Sequence, residues 1–195
     1  RSIFEVIPEP TIMSFDRAFA TTMQSEGGYV NNPKDPGGET YMGISRNNYP
    51  HWQGWAIVDE LIAHQEPLSL SVGLNDLVRE FYRREFWERL KCGLIDPVSE
   101  AVAEELFEAS VNCGRSNGVK FLQRALNTLN STGKLFADLT VDGGIGQQTI
   151  SATLTTLTHR PPRLLVKCQN GEQYIHYKNW SRHEDFPGVF ERTGA

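Results

Sequence analysis

A periodic apolar stripe that ends at a carboxylate constrains the N-terminal half of this chain more than any other feature. Apolar side chains recur from Phe15 to Met23 at the three- and four-residue spacing of an amphipathic helix. Continued at about 100° per residue, the same wheel places Glu26 about 20° from Phe15, near the middle of the stripe. Gly27 and Gly28 then end the helix. The helix is therefore predicted to end with a carboxylate directed at the core side.

This placement of Glu26 has a chemical consequence. A carboxylate on an apolar face is poorly hydrated, which raises its pKa, and the negative end of the helix dipole acts in the same direction. A carboxylic acid that keeps its proton near neutral pH is suited to general acid catalysis. We therefore take Glu26 as a candidate general acid. The alternative is an ordinary helix end whose glutamate turns toward water.

Turn-forming residues dominate the loop that follows, residues 29–40. Asparagines, two prolines and two glycines surround Asp35 before the extended piece that contains Thr40. This composition predicts a short β-hairpin or a tight irregular loop that brings Asp35 and Thr40 close to Glu26. An oxygen-rich loop could instead bind Ca²⁺, but the spacing of an EF-hand is missing. We predict no metal site and no cofactor.

The segment 46–55 is rich in aromatic residues, with Tyr49, His51, Trp52 and Trp55. Exposed aromatic rings can stack on the C–H face of a sugar ring, and buried ones are ordinary core packing. The sequence leaves both interpretations open.

Apolar residues at helical spacing predict a mainly α fold. A helix is expected from an N-cap at Ser14, and others over residues 74–92, 97–113, 119–129, 147–157 and 163–183. The three cysteines Cys92, Cys113 and Cys168 are far apart and odd in number, which indicates buried free thiols rather than disulfides or zinc ligands.

The charge balance and the hydrophobicity profile argue against two classes of protein. The formal net charge is -5, whereas a dedicated nucleic-acid binder normally carries a basic domain, so we expect no nucleic-acid partner. No apolar run approaches the ~20 residues that span a bilayer, so we expect no stable membrane insertion. The chain also opens without the pattern of a signal peptide.

The residues Glu26-Gly27-Gly28-Tyr29, followed by VNNPKDPGGETYMGIS, resemble the glycoside hydrolase 108 family, whose members are phage and bacterial N-acetylmuramidases. The resemblance implies a lysozyme-like helical domain in which Glu26 is the essential acid. The spacing is also similar to that of phage endolysin muramidases, in which a glutamate at a helix end is followed by an aspartate and a threonine. Asp35 matches that spacing, and the endolysin pattern has one more residue before the threonine than this chain has before Thr40.

A second resemblance lies near the C-terminus. FLQRALN, residues 121–127, followed by VDGGIGQQT, residues 141–149, is similar to the signature of peptidoglycan-binding modules. Asp142 and Thr149 match that signature and are candidate substrate-binding residues, together with Tyr29, Asn31 and Tyr41 of the first motif. The alternative is that DGGIG is a tight turn that caps a helix.

These observations predict an N-terminal extension (1–13), a lysozyme-like catalytic domain (14–114) and a helical peptidoglycan-binding-like module packed on it (115–195). The expected activity is hydrolysis of the β-1,4 bond between N-acetylmuramic acid and N-acetylglucosamine, inverting or retaining. A lytic transglycosylase or a non-catalytic wall-binding or secretion-accessory protein are the alternatives. We expect a monomer whose partner is peptidoglycan, made in the bacterial cytoplasm and exported to the wall by a holin-type or other route.

Overall fold

The computed structural model describes residues 11–23, 28–31 and 38–179, with the side chains of residues 11–13 left out. Within these ranges the chain forms a three-stranded sheet and eight α-helices. The strands are β1 Tyr29–Asn31, β2 Glu39–Tyr41 and β3 Ile44–Ser45, and the helices are α1 Thr11–Met23, α2 Gly54–Ala63, α3 Val72–Tyr82, α4 Cys92–Ile95, α5 Glu100–Cys113, α6 Arg115–Leu129, α7 Gln147–His159 and α8 Pro162–Lys178. This confirms the predicted fold class, a mainly helical chain with a small β-hairpin.

The chain divides into two compact units, one of residues 19–85 and the other of residues 1–18 and 86–195. We call the first the sheet unit, because it contains β1 to β3 with α2 and α3, and the second the helical unit. The domain ranges predicted from the sequence, 1–13, 14–114 and 115–195, stay a prediction.

The sheet is antiparallel in the order β1-β2-β3. A two-residue turn joins β2 to β3, with φ of 46° at Met42 and 77° at Gly43. Positive φ at both positions is the geometry of a tight hairpin turn, in which glycine is favoured at the second position. The hydroxyl of Tyr82 on α3 donates to the carbonyl of Met42 at 2.8 Å, and the amide of Met42 donates to the carbonyl of Gly28 at 3.2 Å. The first bond holds the turn against α3, and the second holds it against the residue before β1.

The helical unit is built around aromatic and aliphatic side chains from α1, α5, α6 and α8. Phe15, Trp87 and Phe107 meet edge to face with ring centroids 5.7 to 5.9 Å apart, and all three rings are buried. Helices α5 and α6 approach closely, because a Cβ atom on Gly118 would lie 2.1 Å from the Ser110 hydroxyl. The apolar stripe that begins at Phe15 is thus a core face, as the periodicity predicts.

Several helix limits differ from the sequence-based prediction. Helix α1 begins at Thr11, three residues before the predicted N-cap at Ser14. Helix α5 begins at Glu100 rather than near residue 97, because the Ser99 hydroxyl accepts a hydrogen bond from the amide of Val102 at 3.3 Å and caps the helix there. The long helix predicted over residues 74–92 changes at Arg83–Glu88 to a π-helical turn.

Two other predictions concern the burial of the cysteines and the absence of membrane-spanning helices. Cys92 is buried as predicted, but Cys113 and Cys168 are only partly buried. Over the described ranges, no helix combines the length and the apolar character needed to cross a bilayer.

A partly buried glutamate on α5 lies against α8. Burial and, to a lesser degree, the neighbouring Glu108 carboxylate raise the pKa of Glu105 from its usual 4.5 to about 8, opposed by a hydrogen bond from Asn170. With its nitrogen turned toward the carboxylate, the Asn170 amide lies 3.0 Å from Oε1. The packing of α5 on α8 therefore favours a neutral Glu105.

The raised pKa of Glu105 predicts that stability falls as the pH rises. Between about pH 4.5 and 8 the folded chain keeps a proton that the unfolded chain has released, so folding becomes less favourable across this window. At pH 8 we expect Glu105→Gln to raise the free energy of unfolding by on the order of 1 kcal/mol, and therefore the melting temperature by a few degrees. At pH 4.5 the substitution should change the melting temperature little. Glu60→Gln, at an exposed position on α2, is the control and should have no such pH dependence. Equal effects at both pH values would contradict the account.

Candidate active site

The predicted catalytic residues fall in different parts of the description. Glu26 and Asp35 lie outside the described residues, so their proximity to each other and to Thr40 stays a prediction. Thr40 lies in β2, and the candidate binding residues Tyr29, Asn31 and Tyr41 lie in β1 and β2.

The strand register divides these residues between two faces of the sheet. Tyr29 pairs with Tyr41 and Asn31 pairs with Glu39, while Val30 pairs with Thr40 and Thr40 with Ser45. Because directly paired residues share a face and successive residues alternate, the three candidate binding residues and Glu39 lie on one face. Thr40 lies on the other face.

Thr40 is half-buried at the point where the chain returns from the loop that contains Asp35. Its hydroxyl donates to the carbonyl of Gly38, with an Oγ1···O distance of 3.3 Å. Because the proton is used in this bond, the oxygen lone pairs remain able to accept a hydrogen bond. Thr40 could therefore orient a water molecule by accepting one of its protons.

Glu39, which the sequence-based prediction did not single out, is the best-connected carboxylate in the sheet. Its side chain is 17% exposed, and it accepts a hydrogen bond from the Tyr29 hydroxyl at 2.9 Å. Its other oxygen lies 2.8 Å from Nε of Arg46, and Nη2 of Arg46 lies 2.6 Å from Oδ1 of Asp59 on α2. The Arg46 guanidinium also lies over the ring of Trp55, 4.4 Å from its centroid.

This arrangement ties the base of the loop to α2. Asn31 and Glu39 are paired residues on the two strands that flank the loop, and the amide of Asn31 donates weakly to the Tyr29 hydroxyl at 3.4 Å. Burial, followed by the hydrogen bond to Glu39, raises the pKa of Tyr29, so its hydroxyl keeps the proton that it donates. The network therefore holds the end of β1 and the start of β2, which flank the loop that contains Asp35 in the sequence. We call the side chains of Tyr29, Glu39, Arg46 and Asp59 the loop anchor.

Tyr41 differs from the other candidate binding residues because its ring lies in the core. It is 3% exposed and stacks on Trp52, with centroids 6.5 Å apart and an interplanar angle of 20°. Burial raises the pKa of its hydroxyl. In this structure Tyr41 contributes packing, and a direct contact with substrate stays a prediction. Asn31, by contrast, is exposed.

The candidate residues of the C-terminal signature, Asp142 and Thr149, are held by one side chain of α6. The Gln123 amide donates to Asp142 Oδ1 at 2.8 Å, to the Gly144 carbonyl at 3.0 Å and to Thr149 Oγ1 at 3.3 Å. Its oxygen accepts from the amide of Gly143 at 2.9 Å. The bond from Gln123, then that from the Gly144 amide, lowers the pKa of Asp142.

Two further polar residues continue this pattern, Asn127 in α6 and Asn130 directly after the helix. The Asn127 side chain exchanges hydrogen bonds with the backbone of Leu139 at 2.8 and 2.9 Å. The buried Asn130 side chain bonds the backbone of Leu135 and Phe136 and the carboxylate of Asp138. Spacings of four and three residues place Gln123, Asn127 and Asn130 on one face, and this spacing is the signal that could have revealed their role. The signature thus supports the loop between α6 and α7, and a contact of Asp142 or Thr149 with substrate stays a prediction.

The described residues include no candidate metal site. No group of three or more His, Cys, Asp or Glu side chains comes together among the described residues.

Two known families match parts of this chain. A family described as Glycosyl hydrolase 108 matches residues 19–114, which include the Glu26 motif and all three strands. Over these residues the chain is similar to the glycosyl hydrolase 108 family. A second family, described as Predicted Peptidoglycan domain, matches residues 117–183, which include Gln123 and the loop that it holds. Both resemblances drawn from the sequence are confirmed.

One solved structure extends the likeness to nearly the whole chain. A structure of Brucella abortus SagA is similar with a TM-score of 0.66 at 22% identity, covering 93% of this chain and 90% of that chain. At this identity the likeness concerns the fold alone. No curated protein matches the chain in sequence. Together, the two families indicate a glycoside hydrolase that acts on peptidoglycan.

The loop anchor predicts unequal effects for two substitutions of Arg46. Arg46→Ala leaves the poorly exposed Glu39 carboxylate without its cation, and we expect a loss of about 1–3 kcal/mol in the free energy of unfolding with lower wall-degrading activity. Arg46→Lys keeps the charge but not the fork that reaches two carboxylates, so it should recover part of both. Urea unfolding and release of dye from labelled cell walls are the measurements.

Arg17→Ala is the matched control for Arg46→Ala. Arg17 also bridges two carboxylates, those of Glu100 and Glu104, but its side chain is 59% exposed. Its removal should cost less stability, because water replaces the lost partners. If Arg17→Ala and Arg46→Ala reduce stability and activity equally, the special role of the loop anchor is contradicted.

Proposed function

We propose that this glycoside hydrolase is a muramidase that cleaves the β-1,4 bond between N-acetylmuramic acid and N-acetylglucosamine, with Glu26 as general acid. The observation that carries the proposal is the glycosyl hydrolase 108 match over residues 19–114, within which Glu26-Gly27-Gly28-Tyr29 lies. The sequence period supports it, because the helical wheel of residues 15–23, continued beyond Met23, predicts Glu26 on the core side.

In the proposed reaction Glu26 donates its proton to the glycosidic oxygen as the bond to the anomeric carbon of N-acetylmuramic acid breaks. If Asp35 and Thr40 hold a water on the opposite face of the sugar, the water attacks the anomeric carbon, gives a proton to Asp35 and inverts the configuration. If Asp35 instead attacks directly, a covalent intermediate forms, and water then releases it with retention. The half-buried Thr40 hydroxyl, which donates to Gly38 and can still accept, favours the inverting form.

A lytic transglycosylase is the nearest alternative within enzymes. It needs one acid/base glutamate and no second carboxylate, because a hydroxyl of the sugar closes a 1,6-anhydro ring. The two reactions therefore differ in their requirement for Asp35. Loss of activity in Asp35→Asn favours hydrolysis, and unchanged activity favours the alternative.

A non-catalytic wall-binding or secretion-accessory protein is a candidate from a different class. The match of residues 117–183 to the peptidoglycan domain family favours it. Such a protein would sediment with purified sacculi and leave their turbidity unchanged. A fall in turbidity that depends on Glu26 would exclude it.

The setting of the activity follows from the same proposal. We infer a monomer made in the bacterial cytoplasm that reaches the wall by a holin-type or other export route, where it lyses or remodels peptidoglycan as an endolysin or a secretion-linked hydrolase does. Peptidoglycan is the expected partner.

Substitution of Glu26 provides the direct test of the proposal. Removal of the general acid in Glu26→Gln should lower the rate of dye release from labelled walls about 10²- to 10⁴-fold, because proton transfer in the transition state is lost. Circular dichroism should remain that of the wild type, and Glu60→Gln should keep full activity. Full activity in Glu26→Gln would sink the assignment.

A further inference from the structure

A groove of about 440 Å³ lies within the sheet unit, between the segment 48–53 and the end of α3 with the π-helical turn that follows it. Its volume is in the range of sites that bind small ligands. Two of the residues that line it, Arg84 and Glu85, come from the π-helical turn, an irregularity that is frequent at functional sites. Of the active-site candidates that the structure describes, none lines it.

One wall of the groove is aromatic. Tyr49 and Phe81 meet edge to face with centroids 4.7 Å apart, and Phe81 meets Trp52 in the same way at 6.3 Å. Tyr49 and Trp52 are only partly buried, whereas Trp55 of the same segment is buried. The two interpretations of the aromatic segment thus apply to different residues, with Trp55 in the core and Tyr49 and Trp52 at a surface.

Several polar side chains beside this wall are available to bind a ligand. Asn48, His51, Gln53 and Arg84 line the groove, and their side chains have no hydrogen-bond or ion-pair partner within the described part of the chain. Glu80 differs, since Arg83 binds both of its oxygens at 2.7 and 2.9 Å. The groove therefore offers amide, imidazole and guanidinium groups beside flat aromatic faces.

The groove borders the face of the sheet that does not carry Thr40. Trp52, which lines it, stacks on Tyr41, and the strand register places Tyr41 and Thr40 on opposite faces. A ligand in the groove would thus lie apart from the Thr40 hydroxyl.

We propose that this groove is an accessory binding site for the N-acetylated glycan strand of peptidoglycan, separate from the site of hydrolysis. The inference rests on the proposed function for its substrate. The partly exposed rings of Tyr49 and Trp52 stack on the C–H faces of sugar rings, and the amides of Asn48 and Gln53 pair with hydroxyl and N-acetyl groups. On a glycan strand that carries no peptide stem, Arg84 binds the free lactyl carboxylate of an N-acetylmuramic acid residue.

Trp52 also has a structural role in the sheet unit. A Cβ atom on Gly54 would lie 2.2 Å from the indole ring of Trp52, so the ring covers Gly54 as well as stacking on Tyr41. Its removal would disturb the fold of the unit. His51 and Arg84 are exposed, and their substitution leaves the aromatic wall in place.

Binding is measured in the full chain with Glu26→Gln, which prevents turnover. The probe is a soluble tetrasaccharide of alternating N-acetylglucosamine and N-acetylmuramic acid, titrated while the amide and indole N–H resonances are followed by NMR. We expect the Trp52 indole resonance to shift on titration. The double variant His51→Ala/Arg84→Ala should weaken binding about tenfold, and His64→Ala, an exposed histidine outside the groove, should not.

Catalysis in the wild-type background gives a second measurement. His51→Ala/Arg84→Ala should raise KM for long glycan strands and leave kcat unchanged, because the groove holds substrate without touching the reacting bond. An unshifted Trp52 indole, or affinity and KM equal to those of the unsubstituted groove, would overturn the groove proposal. If Glu26-dependent hydrolysis persists in that case, only the groove proposal is lost. If Glu26→Gln itself still hydrolyses the probe, the proposed function fails instead.

Discussion

The ion pair between Arg46 and Glu39 is the interaction on which the small sheet depends. Strands of two and three residues offer few ladder hydrogen bonds and cannot be stable alone. Arg46 joins the end of the sheet to Asp59 on α2 and covers Trp55, while Tyr82 holds the opposite turn through Met42. The loop that contains Asp35 thus begins and ends on strands fixed by two helices of the same unit. This rigidity is what a site that must position a proton donor and a water requires.

The C-terminal signature has an equally physical explanation. Gln123, Asn127 and Asn130 replace the backbone partners that residues 135–144 lack, so a long segment without regular structure keeps its polar groups paired. Asp142 and Thr149 take part in this pairing, and their predicted contact with substrate stays a prediction. A role in binding the wall stays a prediction for the family-matched module as a whole.

The spacing of apolar residues predicted most of the helices, because a helix face that is buried leaves a repeating apolar pattern, as from Phe15 to Met23. Motif spacing pointed to the family through Glu26 and its loop. Helix starts were less certain, since Ser14, Ser99 and Pro97 are all acceptable near an N-terminus and only the observed Ser99 bond to Val102 chooses between the latter two. Glu39 was missed because its partners Arg46 and Tyr29 lie 7 and 10 positions away. The sequence named Tyr41 as a binding residue and could not show that its ring stacks on Trp52; a direct contact with substrate stays a prediction.

The identity of the cleaved bond is the central claim, and the reducing ends of the products test it most directly. Peptidoglycan digested to completion is reduced with borohydride, and the fragments are analysed by mass spectrometry. A muramidase produces fragments that end in reduced N-acetylmuramic acid, and this is the result we expect. Fragments that end in reduced N-acetylglucosamine, or in a 1,6-anhydro sugar that borohydride leaves unreduced, would contradict the account.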